Sequence, residues 1–86
     1  MVESIHLKRL HYRSWHRGCK ETDLVLGHFA EERLEGLSPT MLAVYEHFLD
    51  EDDADIWDWL TGKTVPEKAE YKPLLEILKL YGLSAP

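Results

Sequence analysis

Arg17, Gly18 and Glu21 bring three kinds of chemistry together in one short stretch, Arg17-Gly18-Cys19-Lys20-Glu21. A guanidinium offers a rigid fork of donors. A glycine can take positive φ without steric cost, so it can close one helix and turn the chain into the next. A carboxylate in the first turn of a following helix suits the positive end of its dipole. One reading is purely structural, with Gly18 a cap and Glu21 a dipole partner. The other is a recognition surface, because Tyr12, Arg13, Trp15 and His16 lie just before and Asp23 just after. Tyr, Trp and Arg are the residue types enriched where proteins bind one another.

Enzyme chemistry fares poorly. His16-x-x-Cys19 is a metal half-site with no second ligand pair at usable spacing. His6, His11 and His16 fall about 140° apart from one to the next on a helix, so they cannot share one ion. Asp50-Glu51-Asp52-Asp53 lacks the glycine and distal glutamate of a calcium loop, and reads as a loop entering a helix. A Gly-rich phosphate loop and a dinucleotide fingerprint are both missing. Cys19, the single cysteine, has cationic neighbours that would favour a reactive thiol, but a lone thiol is more often incidental than a nucleophile. No catalytic and no metal-ligating residues are expected.

The elements that would hold this stretch follow from periodicity. A first helix is predicted from about Ser4, as N-cap, to about His16. Leu7, Leu10 and Ser14 share its inner face; His6, Arg9, Arg13, His16 and Arg17 lie roughly opposite, and Ile5, Lys8, Tyr12 and Trp15 on a third side. A second helix runs from near Lys20 to about Leu34, with Val25, Leu26, Phe29, Ala30 and Arg33 as its stripe. Gly27 costs it about 1 kcal/mol relative to alanine, which suggests close approach of another backbone. Glu35-Gly36 ends it, and Ser38-Pro39 starts a third helix reaching Leu49. A fourth covers Asp53 to Thr61, capped by Asp52 and stopped by Gly62, with Ile56, Trp57 and Leu60 inward and Trp59 half-exposed. A polar linker, Gly62 to Tyr71, leads to a fifth from near Pro73 to Gly82, striped by Leu74, Leu75, Leu78 and Tyr81; Ser84-Ala85-Pro86 reads as a frayed tail. The reading is all-α: a small single-domain bundle of about five short helices.

Composition sets the remaining bounds. The 86 residues are 44% hydrophobic and 30% charged, ordinary for a globular chain with a modest core. No apolar run approaches the ~20 residues of a membrane span. One cysteine permits no internal disulfide, which fits a reducing compartment such as a bacterial cytoplasm, or the mitochondrial matrix for a eukaryotic chain. Residues 1–20 carry Lys8, Arg9, Arg13, Arg17 and Lys20 against Glu3, a net +4. The rest carries five bases and fifteen acids, a net −10, which brings the whole to −6. One end therefore attracts acidic partners, while the overall acidity disfavours nucleic acid.

Arg17-Gly18-x-x-Glu21, followed by Asp23, Leu24, Leu26, Gly27 and Phe29, resembles the signature of the succinate dehydrogenase assembly factor 2 family. The likeness continues through Asp55-Ile56-Trp57-Asp58-Trp59-Leu60-Thr61-Gly62 into the last helix. It implies the same all-helical architecture. It also implies a partner, the flavoprotein subunit of succinate dehydrogenase and in some bacteria that of fumarate reductase. The family promotes covalent attachment of FAD to a histidine of that subunit, so FAD would be carried by the partner and no cofactor of this chain's own is expected. The resemblance assigns partner binding to Arg17 as a cationic fork, Gly18 as a close-approach backbone and Glu21 as its orienter or an acceptor. Tyr12, Arg13, Trp15, His16 and Asp23 join them by adjacency. A monomer is expected. An antitoxin-like or other protein-binding regulator is a second reading. A helix-turn-helix DNA binder using Arg9, Arg13, Arg17 and Lys20 is a third, opposed by Glu21 and Asp23 at the start of the would-be recognition helix.

Overall fold

A computed structural model of the chain describes residues 4–84, and the side chains of residues 5–81. Five helices follow one another: α1 (Ser4–Trp15), α2 (Lys20–Arg33), α3 (Pro39–Phe48), α4 (Asp53–Thr61) and α5 (Tyr71–Ser84). No strand occurs among the described residues. The all-α expectation therefore holds.

Helix α2 lies at the centre, packed against α1, α4 and α5, and α5 also covers α3 and α4. The apolar stripes meet in one core. Leu10 enters from α1; Val25, Leu26, Phe29 and Ala30 from α2; and Leu42, Tyr45, Phe48 and Leu49 from α3 and its end. Leu34 just after α2, Ile56 of α4 and Tyr71, Leu74, Leu75 and Leu78 of α5 complete it. Fully burying one such side chain contributes about 1.5–3 kcal/mol, so this cluster is the main stabilising term. Two polar groups are carried inside in satisfied form. The Ser14 hydroxyl donates to the Leu10 carbonyl at 2.7 Å, and the Tyr45 hydroxyl lies 2.5 Å from Ser14 Oγ. Burial pushes the Tyr45 phenol well above its ordinary range, so it stays a neutral donor.

Helix boundaries follow the chain's punctuation. Gly18 and Gly62 take positive φ, +102° and +81°. Ser38 caps α3 by accepting the Met41 amide at 3.1 Å, with Pro39 as the first helical residue. The chain leaves α2 through a single 3₁₀ turn, Leu34–Gly36.

Several expectations need correction. α5 begins at Tyr71, two residues before Pro73, and runs through Gly82 to Ser84. Proline is tolerated in a first turn because its missing N–H would be unpaired there, so Pro73 sits inside that turn and does not open it. Asp52 occupies the N-cap position of α4 but its side chain makes no capping bond. The inward tryptophan of α4 is Trp59, packed on Phe48 and Tyr71, whereas Trp57 is 37% exposed. Positions 56, 59 and 60 follow the i, i+3, i+4 rule, and position 57 falls off that face. Capping by Ser4 and the tail residues Ala85 and Pro86 lie outside the described residues.

Candidate functional site

The α1–α2 turn is built by Trp15, His16, Arg17, Gly18 and Cys19. α1 stops at Trp15, and the Gly18 backbone at positive φ redirects the chain into α2. A Cβ at Gly18 would meet nothing closer than Asp53 Oδ2 at 3.7 Å. Glycine is therefore required there by conformation and not by space. Glu21 stands exposed in the first turn of α2. Its own backbone amide, then the Cys19 thiol at 3.3 Å, hold its carboxyl below the ordinary range, so it is an anion at neutral pH.

Arg17 does not point outward. Its side chain is 12% exposed, and its Nε donates to Asp53 Oδ1 at 2.9 Å. The two terminal nitrogens donate to the backbone carbonyls of Leu49 and Glu51. These carbonyls belong to the loop between α3 and α4, where the end of α3 leaves acceptors unpaired. The Arg17 amide donates to Asp23 Oδ1 at 2.7 Å, which ties the turn to α2. A guanidinium matches this arrangement because its fork presents several donors in one plane. Arg17, expected from the sequence to meet a partner, directs its fork to the α3–α4 loop within the chain. Glu21 does not orient it, since Asp53 does.

The other positions divide the same way. Arg13 pairs with Asp50 at 2.6 Å, a second tie to that loop. Trp15 is half-buried and lies over Gly27, where any Cβ would collide with the indole. What approaches Gly27 is thus a side chain and not a backbone. His28 meets the same indole edge-on, with centroids 5.3 Å apart. Tyr12 is 66% exposed, with the exposed His16 ring stacked on it at 4.2 Å. The outward surface of the site is Tyr12, His16, Gly18 and Glu21; Arg13, Arg17 and Asp23 brace it from behind.

Sequence reasoning missed the bracing loop. Glu51 receives Arg17 on its carbonyl, while its carboxylate accepts the Tyr71 hydroxyl at 2.7 Å and Lys68 at 3.2 Å. The Tyr71 hydroxyl and Lys68 hold this carboxyl below its ordinary range. The signal was charge complementarity between a basic segment and the run Asp50-Glu51-Asp52-Asp53. Among the described residues no group of three or more His, Cys, Asp or Glu is placed to hold a metal ion. No described helix is long and apolar enough to cross a membrane.

A family model described as "Flavinator of succinate dehydrogenase" matches residues 8–81. FAD assembly factor SdhE of Coxiella burnetii is 31% identical over 85 residues, covering 99% of this chain and 100% of that protein. Mitochondrial succinate dehydrogenase assembly factor 2 of Schizosaccharomyces pombe is 38% identical over 76 residues, 87% of this chain and 55% of the relative. The same-named protein of Debaryomyces hansenii is 40% identical over 83 residues, 90% and 58%. The chain thus spans a little over half the length of these two mitochondrial relatives. No solved structure matches it. With a family model covering most of the chain and a bacterial relative matched end to end, the chain belongs to the Sdh5 family, the flavinators of succinate dehydrogenase.

Proposed function

We propose that this chain is an assembly factor that docks on the flavoprotein subunit of succinate dehydrogenase and promotes covalent attachment of FAD to it. The observation that carries this reading is the braced turn. An anion, two stacked aromatic rings and an open glycine backbone face outward, on a loop that Arg17 fixes at four points. Such a surface suits recognition: its exposed groups are an anion, aromatic rings and open backbone, the kinds of group that meet another protein. The flavin and the residue it joins then belong to the partner. The factor acts by holding that partner in the geometry where the two meet, which can lower a barrier by several kcal/mol without donated side chains. Fumarate reductase's flavoprotein is a second client on the same chemistry. The chain works as a monomer of one domain, in a bacterial cytoplasm or a mitochondrial matrix.

Within this reading Glu21, Tyr12, His16 and the Gly18 backbone touch the partner. Arg17, Arg13, Asp23 and Trp15 keep that surface in shape. The test is Glu21→Ala, co-expressed with the flavoprotein subunit in cells lacking other copies, with covalent flavin scored by in-gel fluorescence. Glu21 is exposed, so the helical circular dichroism should not change while flavinylation falls. Wild-type flavinylation by a folded Glu21→Ala protein refutes the assignment.

A further inference from the structure

The outer face of α1 carries a second feature that the turn does not explain. Ile5, Lys8, Arg9, Tyr12 and His16 follow i, i+3, i+4, i+7, i+11 spacing and form one ridge. Ile5 is 62% exposed and Tyr12 66%, and a shallow hollow of about 440 Å³ lies among Ile5, Lys8, Arg9, Tyr12 and Arg13. Lys8 and Arg9 form no ion pair among the described residues, whereas Arg13 and Arg17 are spent on Asp50 and Asp53. The ridge is therefore apolar in its middle and cationic at its flank. It runs without a break into the Tyr12–His16 stack beside the turn.

Resting on the docking role above, we propose that this ridge is the affinity-determining half of the interface. Its occupant is an acidic surface of the flavoprotein subunit, with an apolar depression that takes Ile5 and Tyr12 and carboxylates that meet Lys8 and Arg9. Charge selects this occupant. A second copy of the chain docked by a two-fold axis would set Lys8 and Arg9 against their own images. An interface of this kind gains on-rate and specificity from its charged flank and binding strength from the buried apolar centre.

The test is a double charge reversal, Lys8→Glu with Arg9→Glu, and separately Ile5→Ser. Binding to the purified flavoprotein subunit is measured at low and at physiological salt. A matched control reverses Lys63 and Lys79, which lie outside the ridge and change net charge equally. The reversal at Lys8 and Arg9 should raise Kd about tenfold or more, flatten its salt dependence, and leave the circular dichroism helical. Ile5→Ser should raise Kd at both salts. The control should bind as the wild type does. Equal Kd for the ridge variants and the wild type overturns the ridge alone. So does an equal loss in the Lys63/Lys79 control, which would make the effect one of net charge. So does ridge-dependent binding to anionic phosphatidylglycerol vesicles, or ridge-dependent self-association in sedimentation, with flavoprotein binding unaffected. A wild-type chain that fails to bind the subunit at all overturns the docking role itself.

Discussion

Replacing Arg17 with alanine separates a brace from a docking fork. The substitution strips donors from the Leu49 and Glu51 carbonyls and leaves the Asp53 carboxylate without its cation. Removing one partner of a buried charged pair costs about 3–5 kcal/mol. The Asp53 side chain is 31% exposed, so water recovers part of this, and about 3 kcal/mol is the expected loss. For a chain of this size each kcal/mol shifts the midpoint by about 4–8 °C, which gives a fall of about 12–24 °C. Arg17→Lys keeps the charge but loses the fork, and should recover only part of the loss. The assay is thermal and urea unfolding followed by circular dichroism, without any partner. A loss under about 1 kcal/mol for Arg17→Ala would refute the brace. A docking fork predicts the reverse pattern: unchanged melting with binding lost.

The two key glycines should respond for different reasons. Gly18→Ala meets only Asp53 Oδ2 at an ordinary contact distance of 3.7 Å but must hold φ near +102°, so about 1–2 kcal/mol is lost to backbone strain alone. Gly27→Ala fits its helix but displaces the Trp15 indole, for a net loss of about 1–2 kcal/mol once its helix propensity is counted. Tryptophan emission should shift red in the second variant and not in the first. Glu51 gives a pH test. Its folded pKa lies below the ordinary value of 4.5, so its contribution is complete above that pH and is lost as pH falls through the folded value. Glu51→Gln should therefore flatten the acid limb of stability against pH below about 4.5 and lower the plateau above it; an unaltered limb counts against the Tyr71–Glu51–Lys68 cluster.

Much of the fold was legible because its signals are local. Gly18, Gly62, Ser38 and Pro39 punctuate the chain through their own backbone chemistry, and the stripes of α2 and α3 follow from spacing. The errors came from choices that spacing leaves open. Trp57 and Trp59 are both large and apolar, and only the position of Phe48 and Tyr71 decides which turns inward. Arg17 stands out by its motif, but adjacency cannot show that a loop some 35 residues later folds over it. The complementary charges of the two segments were visible from the start; their meeting was not.

In the proposed docking, one face of the molecule, the outer side of α1 with the first turn of α2, is the side that meets the flavoprotein. Hydrogen–deuterium exchange of the chain, alone and with the purified subunit, measures this directly. Protection gathered at residues 5–23, with the 62–70 linker unchanged, is the expected result. Protection confined to the linker and α5, with the turn exchanging as in the free chain, would contradict it.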